Sequence, residues 1–237
     1  LIPAAMMCRI PTRDNALQNR LAKDQNILTV EMADIEQYGQ QAAQSLKVAA
    51  RAKVPLSLDG DAEVVMFRAD VGGDEHFAVL VGGKVPEKAP LVRLHSQCVT
   101  GDVLGSLKCD CGQQLHAAIG YMTANGGGVL VYLAQEGRDI GLLNKMRAYA
   151  LQDNGFDTVD ANHALGFESD ERLFLPAIKI LQELGISELR LITNNPDKIS
   201  QLDAAGITVV ERVPLACDAN THNQKYLDTK RDRSGHM

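Results

Sequence analysis

Three cysteines lie close together in the chain, at positions 98, 109 and 111. Thiolates are soft ligands that suit zinc, and in a reducing compartment such a cluster indicates a metal site before a disulfide. Structural zinc takes four protein ligands, whereas catalytic zinc often keeps three and leaves one position open for water. Because no fourth ligand is obvious from the spacing, Cys98, Cys109 and Cys111 favour a catalytic zinc that makes water a usable nucleophile. The alternatives are a structural site closed by His95 or His116, or simply buried thiols.

A polar loop, Gln135–Gly141, follows the predicted strand Val129–Leu133. Ligands of open α/β sheets bind at the carboxyl ends of strands, where this loop lies. The carboxylate of Glu136 could read a purine edge by accepting two hydrogen bonds from adjacent N–H donors, such as N1 and N2 of guanine, and the guanidinium of Arg138 suits phosphate. The alternative is a solvated turn with an internal Glu–Arg pair.

Two further polar segments, Ser169–Arg172 and Thr193–Lys198, repeat this pattern. Asp170 in the first could be ordinary helix capping, and the second could be a plain turn. Since several such loops occur in a domain that also carries the cysteine cluster, we expect them to converge on one pocket.

Strand and helix patterns alternate through most of residues 91–213, which predicts an α/β fold with a mixed, partly parallel sheet flanked by helices. Val64–Phe67 and Phe77–Val81 predict a small β-hairpin region before it. Apolar spacing predicts one helix over Ala33–Ala52. We therefore expect three parts: an N-terminal helical extension over 1–52, a catalytic domain over 53–213 and a polar tail over 214–237.

Composition excludes several classes of protein. The chain is 45% apolar and 23% charged, as in globular domains, and no apolar run is long enough to span a membrane. A net charge of −6 argues against a broad nucleic-acid surface but not against an anionic small ligand. The N-terminal residues make a poor signal peptide, so we expect a cytoplasmic protein. Cys8 and Cys217 lie far from the cluster and are interpreted as unrelated thiols.

Short motifs in this sequence occur in the order found in GTP cyclohydrolase II, and the sequence resembles that family over roughly residues 53–213. The motifs are Arg93–Cys98, Ser106–Gly112, Gln135–Arg138, Asn144–Asp153, Asp160–His163, Leu165–Phe167, Asp170–Arg172 and Thr193–Pro196.

The resemblance implies an enzyme that hydrolyses GTP at two places, releasing formate from C8 of guanine and pyrophosphate from the triphosphate. The product is a diaminopyrimidinone ribosylamino phosphate, and the reaction starts riboflavin synthesis. One zinc ion per subunit on the three cysteines, Mg²⁺ with the triphosphate, and a homodimer are implied in the same way. No nucleic-acid or membrane partner is expected.

Residue roles follow from the same resemblance. Arg172 matches the nucleophile towards the α-phosphorus, Asp170 the proton acceptor, and Tyr149 the tyrosine tied to ring hydrolysis. Because a guanidinium is almost always protonated, electrostatic stabilisation is an alternative role for Arg172. The positions that match GTP contacts are Arg93, Leu94, His95, Ser96, Gln97, Gln114, Glu136, Gly137, Arg138, Thr158, Thr193 and Lys198.

Three positions depart from the family pattern. Gln97 replaces a usual Glu, Ala134 replaces a frequent Arg, and Lys108 replaces Arg. The changes at Gln97 and Ala134 motivate an alternative function, a degenerate paralogue that binds GTP without full turnover and regulates a partner enzyme.

Overall fold

Two units are distinguished in the computed structural model, residues 1–39 and 40–237. The structure describes residues 15–24, 30–58, 60–70, 72–215 and 219–224. Cys8 and Cys217 lie outside the described residues, as does most of the predicted tail. The first unit contains helix α1, Asn15–Asp24, and the beginning of helix α2, Met32–Gln44. None of the helices in the described ranges is long and apolar enough to cross a membrane.

The predicted helix over Ala33–Ala52 is wrong in its second half. Helix α2 ends at Gln44, and Lys47–Lys53 forms strand β1 instead. The strand pairs antiparallel with Glu63–Arg68. Pairing with a neighbouring strand therefore overrides the helical spacing of an Ala-rich segment. The division of the chain at residues 52 and 213 stays a prediction.

The second unit is built on a seven-stranded sheet with the order β1-β2-β3-β5-β4-β6-β7. After β1 come β2 Glu63–Arg68, β3 His76–Val81, β4 Leu91–Ser96, β5 Gly128–Leu133, β6 Glu188–Ile192 and β7 Thr208–Val213. In this order, β1, β2, β3 and β5 pair antiparallel with one another. The strands β5, β4, β6 and β7 run parallel. The mixed, partly parallel sheet and the hairpin β2–β3 are confirmed.

The remaining helices connect the parallel strands. They are α3 Val99–Asp102, α4 Cys111–Ala124, α5 Gly141–Asp153, α6 Thr158–Ala164, α7 Leu175–Glu183 and α8 Pro196–Ala204. Helix α6 was not expected from periodicity, because it has only two turns. Its N-cap identifies it: the Asp157 carboxylate accepts hydrogen bonds from the backbone N–H groups of Val159 and Asp160.

The core lies on both faces of the sheet. Along β5, Val129 and Val131 belong to the apolar cluster that includes α7, whereas Leu130 belongs to the cluster that includes Met122 of α4. This alternation follows from the two-residue period of a strand. Helices thus cover both faces of the parallel half of the sheet.

Strand β4 lies at the point where the chain changes direction across the sheet. Its neighbours β5 and β6 are parallel to it and lie on opposite sides. The loops that leave β4 and its neighbours therefore diverge and open a crevice at their carboxyl ends, where ligands bind in such sheets. The Cys98, Gln135 and Thr193 loops all begin at this edge.

Candidate active site

The three cysteines meet at the carboxyl end of β4. Cys98 precedes helix α3, and Cys111 is the first residue of α4. The Sγ atoms of Cys98 and Cys109 are 3.7 Å apart, and all three sulfurs lie within 4.8 Å of one another. Zinc–sulfur bonds of about 2.3 Å at tetrahedral angles place sulfurs about 3.8 Å apart. The spacing of the three donors therefore fits a zinc ion.

The negative charge of the cysteine thiolates also favours a bound cation. Hydrogen bonds from the Cys109 and Cys111 thiols, and from the ammonium group of Lys145, lower the pKa of the Cys98 thiol. Hydrogen bonds with Cys109 and Cys98, burial and the charge of those two neighbours raise the pKa of Cys111, because its thiolate would have to form beside theirs. A divalent cation among the sulfurs relieves this repulsion.

Two glycines allow the cysteine loop to close this tightly. A Cβ atom on Gly101 would lie 2.9 Å from the sulfur of Cys109 and 3.1 Å from that of Cys98. A Cβ atom on Gly112 would meet the carbonyl oxygen of Gly101. Any side chain at either position would therefore collide with the cluster or its backbone.

A buried carboxylate fixes the start of the loop. Asp102 accepts hydrogen bonds from the backbone N–H of Cys98 at 3.0 Å and from the hydroxyl of Tyr132 at 2.8 Å. Its other oxygen lies 3.1 Å from Nε2 of His95. Burial lowers the pKa of His95 more than the hydrogen bond to Asp102 raises it, so the ring is held neutral.

A second chemical group is the pair formed by Asp170 and Arg172. Nε of Arg172 donates to Oδ1 of Asp170 at 2.7 Å, and Nη2 donates to Oδ2 at 2.5 Å. Burial alone would raise the pKa of Asp170, but the hydrogen bonds and charge of Arg172 outweigh it and lower that pKa. The carboxylate stays ionised, and the guanidinium stays protonated beside it.

One cleft contains both groups. It is a cavity of about 310 Å³ between the loops after β4, β5 and β6 and helix α5, lined by the three cysteines and by Asp170 and Arg172. Cationic side chains of Arg93, Arg138 and Lys198 also face it. The arrangement can hold a metal at one end and receive an anion beside several positive charges.

A family model described as GTP cyclohydrolase II matches residues 47–214. The chain belongs to the GTP cyclohydrolase II family. The match spans the whole sheet and every residue that lines the cleft.

Curated relatives carry consistent names. The GTP cyclohydrolase-2 of Azospirillum brasilense is 51% identical over 238 residues, which is 100% of this chain and 61% of that protein. The GTP cyclohydrolase-2 of Salmonella typhimurium is 53% identical over 193 residues, 81% of this chain and 97% of that protein. The riboflavin biosynthesis protein RibBA of Bacillus subtilis is 43% identical over 244 residues, 99% of this chain and 60% of that protein. The chain thus spans about three fifths of two of these relatives.

Most of the residues that are predicted to contact GTP lie on the cleft wall. They are Arg93, Leu94, His95, Ser96, Gln97, Gln114, Gly137, Arg138, Thr158, Thr193 and Lys198, together with Tyr149. Leu94 contributes backbone, since its side chain belongs to the core and its carbonyl accepts a 2.8 Å hydrogen bond from Lys198. Ala134, one of the departures from the family pattern, is not among the lining residues, whereas Gln97 is.

Glu136 is the predicted contact that does not line the cleft. Its Oε2 accepts a hydrogen bond from the backbone N–H of Val99 at 2.7 Å, and its Oε1 accepts one from Lys145 at 2.8 Å. Both carboxylate oxygens are therefore engaged within the protein, and the side chain is buried. In this arrangement Glu136 supports the cysteine loop.

The structure adds residues that the sequence did not single out. Lys145 lies in the cleft wall between Glu136 and Cys98, and Gln135 lies beside the segment that carries Arg172. Both belong to motifs shared with the family, yet their residue types suggested no chemistry by themselves. The sequence carried no signal for the role of Lys145, because its burial and its contact with Cys98 arise only in the fold.

Proposed function

We propose that this chain hydrolyses GTP at two positions, releasing formate from the guanine ring and pyrophosphate from the triphosphate, as the first step of riboflavin biosynthesis. The observation that carries the proposal is one cleft, in a chain of the GTP cyclohydrolase II family, lined by both the cysteine cluster and the Asp170–Arg172 pair. Two different reactions need two different sets of groups, and the cleft contains both.

The cysteine end of the cleft is assigned to ring opening. Cys98, Cys109 and Cys111 would hold a zinc ion, which supplies a Lewis acid for the hydrolysis at C8. Tyr149 lines the same end, and its ring lies 5.8 Å from the ammonium nitrogen of Lys145. Burial raises the pKa of the Tyr149 phenol, so the hydroxyl stays protonated and can donate a proton or orient water.

The other end is assigned to the triphosphate. Arg172 presents a guanidinium held by the Asp170 carboxylate, and Arg138 and Lys198 add positive charge to the cleft wall. A guanidinium paired in this way is fully protonated, which supports an electrostatic role for Arg172 at the α-phosphorus more than attack by its nitrogen.

The remaining assignments rest on the family. We propose that Mg²⁺ enters with the triphosphate, bridging its oxygens while keeping several waters. A homodimer and a cytoplasmic location are proposed on the same basis.

The test is product analysis. Purified protein incubated with GTP and Mg²⁺ is expected to yield formate and pyrophosphate, and a strong zinc chelator is expected to abolish formate release. Readdition of zinc should restore it. Protein that contains zinc but forms neither product would refute the proposal.

A degenerate paralogue that binds GTP without turnover is the second candidate. It is favoured by Gln97, which lines the cleft and replaces a negative charge beside the cysteine cluster. Calorimetric binding of GTP without either product would favour this candidate. If Gln97→Glu then restored turnover, the change at that position would be the cause.

A further inference from the structure

The loop that follows β5 contacts both chemical ends of the cleft. At the cysteine end, Glu136 accepts hydrogen bonds from Val99 and Lys145, and Lys145 donates to Sγ of Cys98 at 3.0 Å. At the other end, Gln135 bonds to the segment between α6 and α7. One short loop therefore lies between the two sites of hydrolysis.

Three hydrogen bonds join this loop to the segment that carries Asp170 and Arg172. The Gln135 side-chain amide donates to the carbonyl of Leu173 at 2.5 Å. The other two bonds involve Arg138: its Nη1 donates to the carbonyl of Ser169 at 2.9 Å, and its own carbonyl accepts from the N–H of Glu171 at 3.3 Å.

The other contacts of the segment include longer hydrogen bonds, from Asn162 to the carbonyl of Glu168 at 3.4 Å and from Arg172 to the hydroxyl of Ser96 at 3.5 Å. The segment has neither helical nor strand conformation, and Leu173 is 49% exposed, so burial does not anchor the segment there. Burial resumes only at Phe174, which is 5% exposed. The bonds between Arg172 and Asp170 lie within the segment and cannot fix it against the sheet.

Gln135 is suited to hold the backbone of the segment at Leu173. It lies two residues after the end of β5, it is 4% exposed, and its N–H donates to the carbonyl of Leu133 at 2.8 Å. The amide can be oriented in only one way, because a flip would place its oxygen against the carbonyl of Leu173. In that orientation its Oε1 is buried without a partner among the described residues. A buried acceptor without a partner destabilises the folded protein, and a residue that only fills space would not need one.

We propose that Gln135 is a positioning residue for pyrophosphate release: it holds the Leu173 carbonyl and so fixes Arg172 against the carboxyl end of β4. Arg172 then presents its guanidinium beside Ser96, 3.5 Å from the hydroxyl oxygen. A small displacement of this group reduces stabilisation of the reacting phosphate far more than it reduces binding. This inference rests on the proposed function.

The experiment compares Gln135→Met, which keeps length and shape but removes the donor, with Gln113→Met on the exposed face of α4. For Gln135→Met we expect kcat of pyrophosphate release to fall by up to about 100-fold. The KM for GTP should change little, and zinc content should stay at the wild-type level. Gln113→Met should behave as wild type.

A double-mutant cycle separates positioning from general damage. If Gln135 acts through Arg172, adding Gln135→Met to Arg172→Ala should cost nothing further in residual pyrophosphate release. A full additional loss, or an unchanged kcat in the single variant, would overturn the inference. If Gln135→Met does not fold, Gln135→Asn, which keeps the amide but is too short to reach Leu173, serves the same comparison. Wild-type protein that releases neither product refutes the proposed function instead, so the two failures are distinct.

Discussion

The ammonium nitrogen of Lys145 lies 3.0 Å from the sulfur of Cys98 and 2.8 Å from a carboxylate oxygen of Glu136. Burial opposes a charge at this position, but the hydrogen bonds to Glu136 and Cys98 outweigh it and raise the pKa of Lys145. The lysine is therefore held charged between two anionic groups. Its charge offsets part of the thiolate charge that a zinc ion would leave uncompensated.

Lys145→Met tests this arrangement through stability. The exposed fractions of the Lys145 and Glu136 side chains are 11% and 9%, so removing the lysine leaves a buried carboxylate unpaired. We expect the free energy of unfolding at saturating zinc to fall by about 3–5 kcal/mol in urea titrations. Adding Glu136→Gln should recover part of the loss.

The matched control is Lys179→Met. Lys179 pairs with Glu183 one turn along α7, where both side chains are more exposed. Its removal should cost under about 1 kcal/mol. Equal losses for the two lysines would show that Lys145 makes no special contribution.

Gly101→Ala should remove zinc without unfolding the protein. The added methyl group would lie within 3.1 Å of two ligand sulfurs, where no Cβ can be accommodated without moving them. We expect zinc per chain, measured by mass spectrometry of the metal, to fall well below the wild-type value. The far-ultraviolet circular dichroism should remain unchanged.

Gly120→Ala provides the comparison within the same region. Gly120 lies in α4, and nothing lies within 4 Å of a Cβ atom built on it. The substitution should keep zinc and raise stability by about 0.5–1 kcal/mol, because alanine favours a helix. Full zinc occupancy in Gly101→Ala would contradict the proposed packing of the loop.

The sequence predicts the parallel half of the sheet well, because strands such as β5 are β-branched, buried and bounded by glycine or polar loops. Strand β1 was missed because Ala-rich residues there pack on a neighbouring strand that local spacing does not reveal. The cysteine cluster and its convergence with the Asp170 segment were also predicted.

The hydrogen bonds among the buried side chains of the site were less predictable. Lys145 contacts Cys98 across 47 residues of sequence, and the sequence pattern contains no information about that distance. Glu136 was expected to bind guanine. In the structure its two carboxylate oxygens accept hydrogen bonds from Val99 and Lys145 instead. Residue type shows which groups can form such hydrogen bonds, but only the tertiary fold shows which of them meet.

Tyr149→Phe should separate the two hydrolyses. Tyr149 lines the cysteine end of the cleft, so loss of its hydroxyl should reduce formate release by about 100-fold, as expected for removal of a proton-transfer group. Pyrophosphate release should fall much less. Arg172→Ala should suppress both products if phosphoryl attack comes first. Equal reduction of the two products in Tyr149→Phe would contradict the assignment of the phenol to ring opening.

His76 should make stability depend on pH. Its Nδ1 accepts a 3.0 Å hydrogen bond from the N–H of Ala134, which requires a neutral ring, and burial lowers its pKa more than nearby Asp74 raises it. The unfolded chain therefore binds more protons than the folded one as pH falls below about 6.5, and stability is lost in that direction, by at most about 1.4 kcal/mol per pH unit. Gln at this position keeps an acceptor without titrating. Urea unfolding of His76→Gln at pH 7.5 and 5.5 should show a smaller loss than wild type, and an identical loss would mean that His76 does not control it.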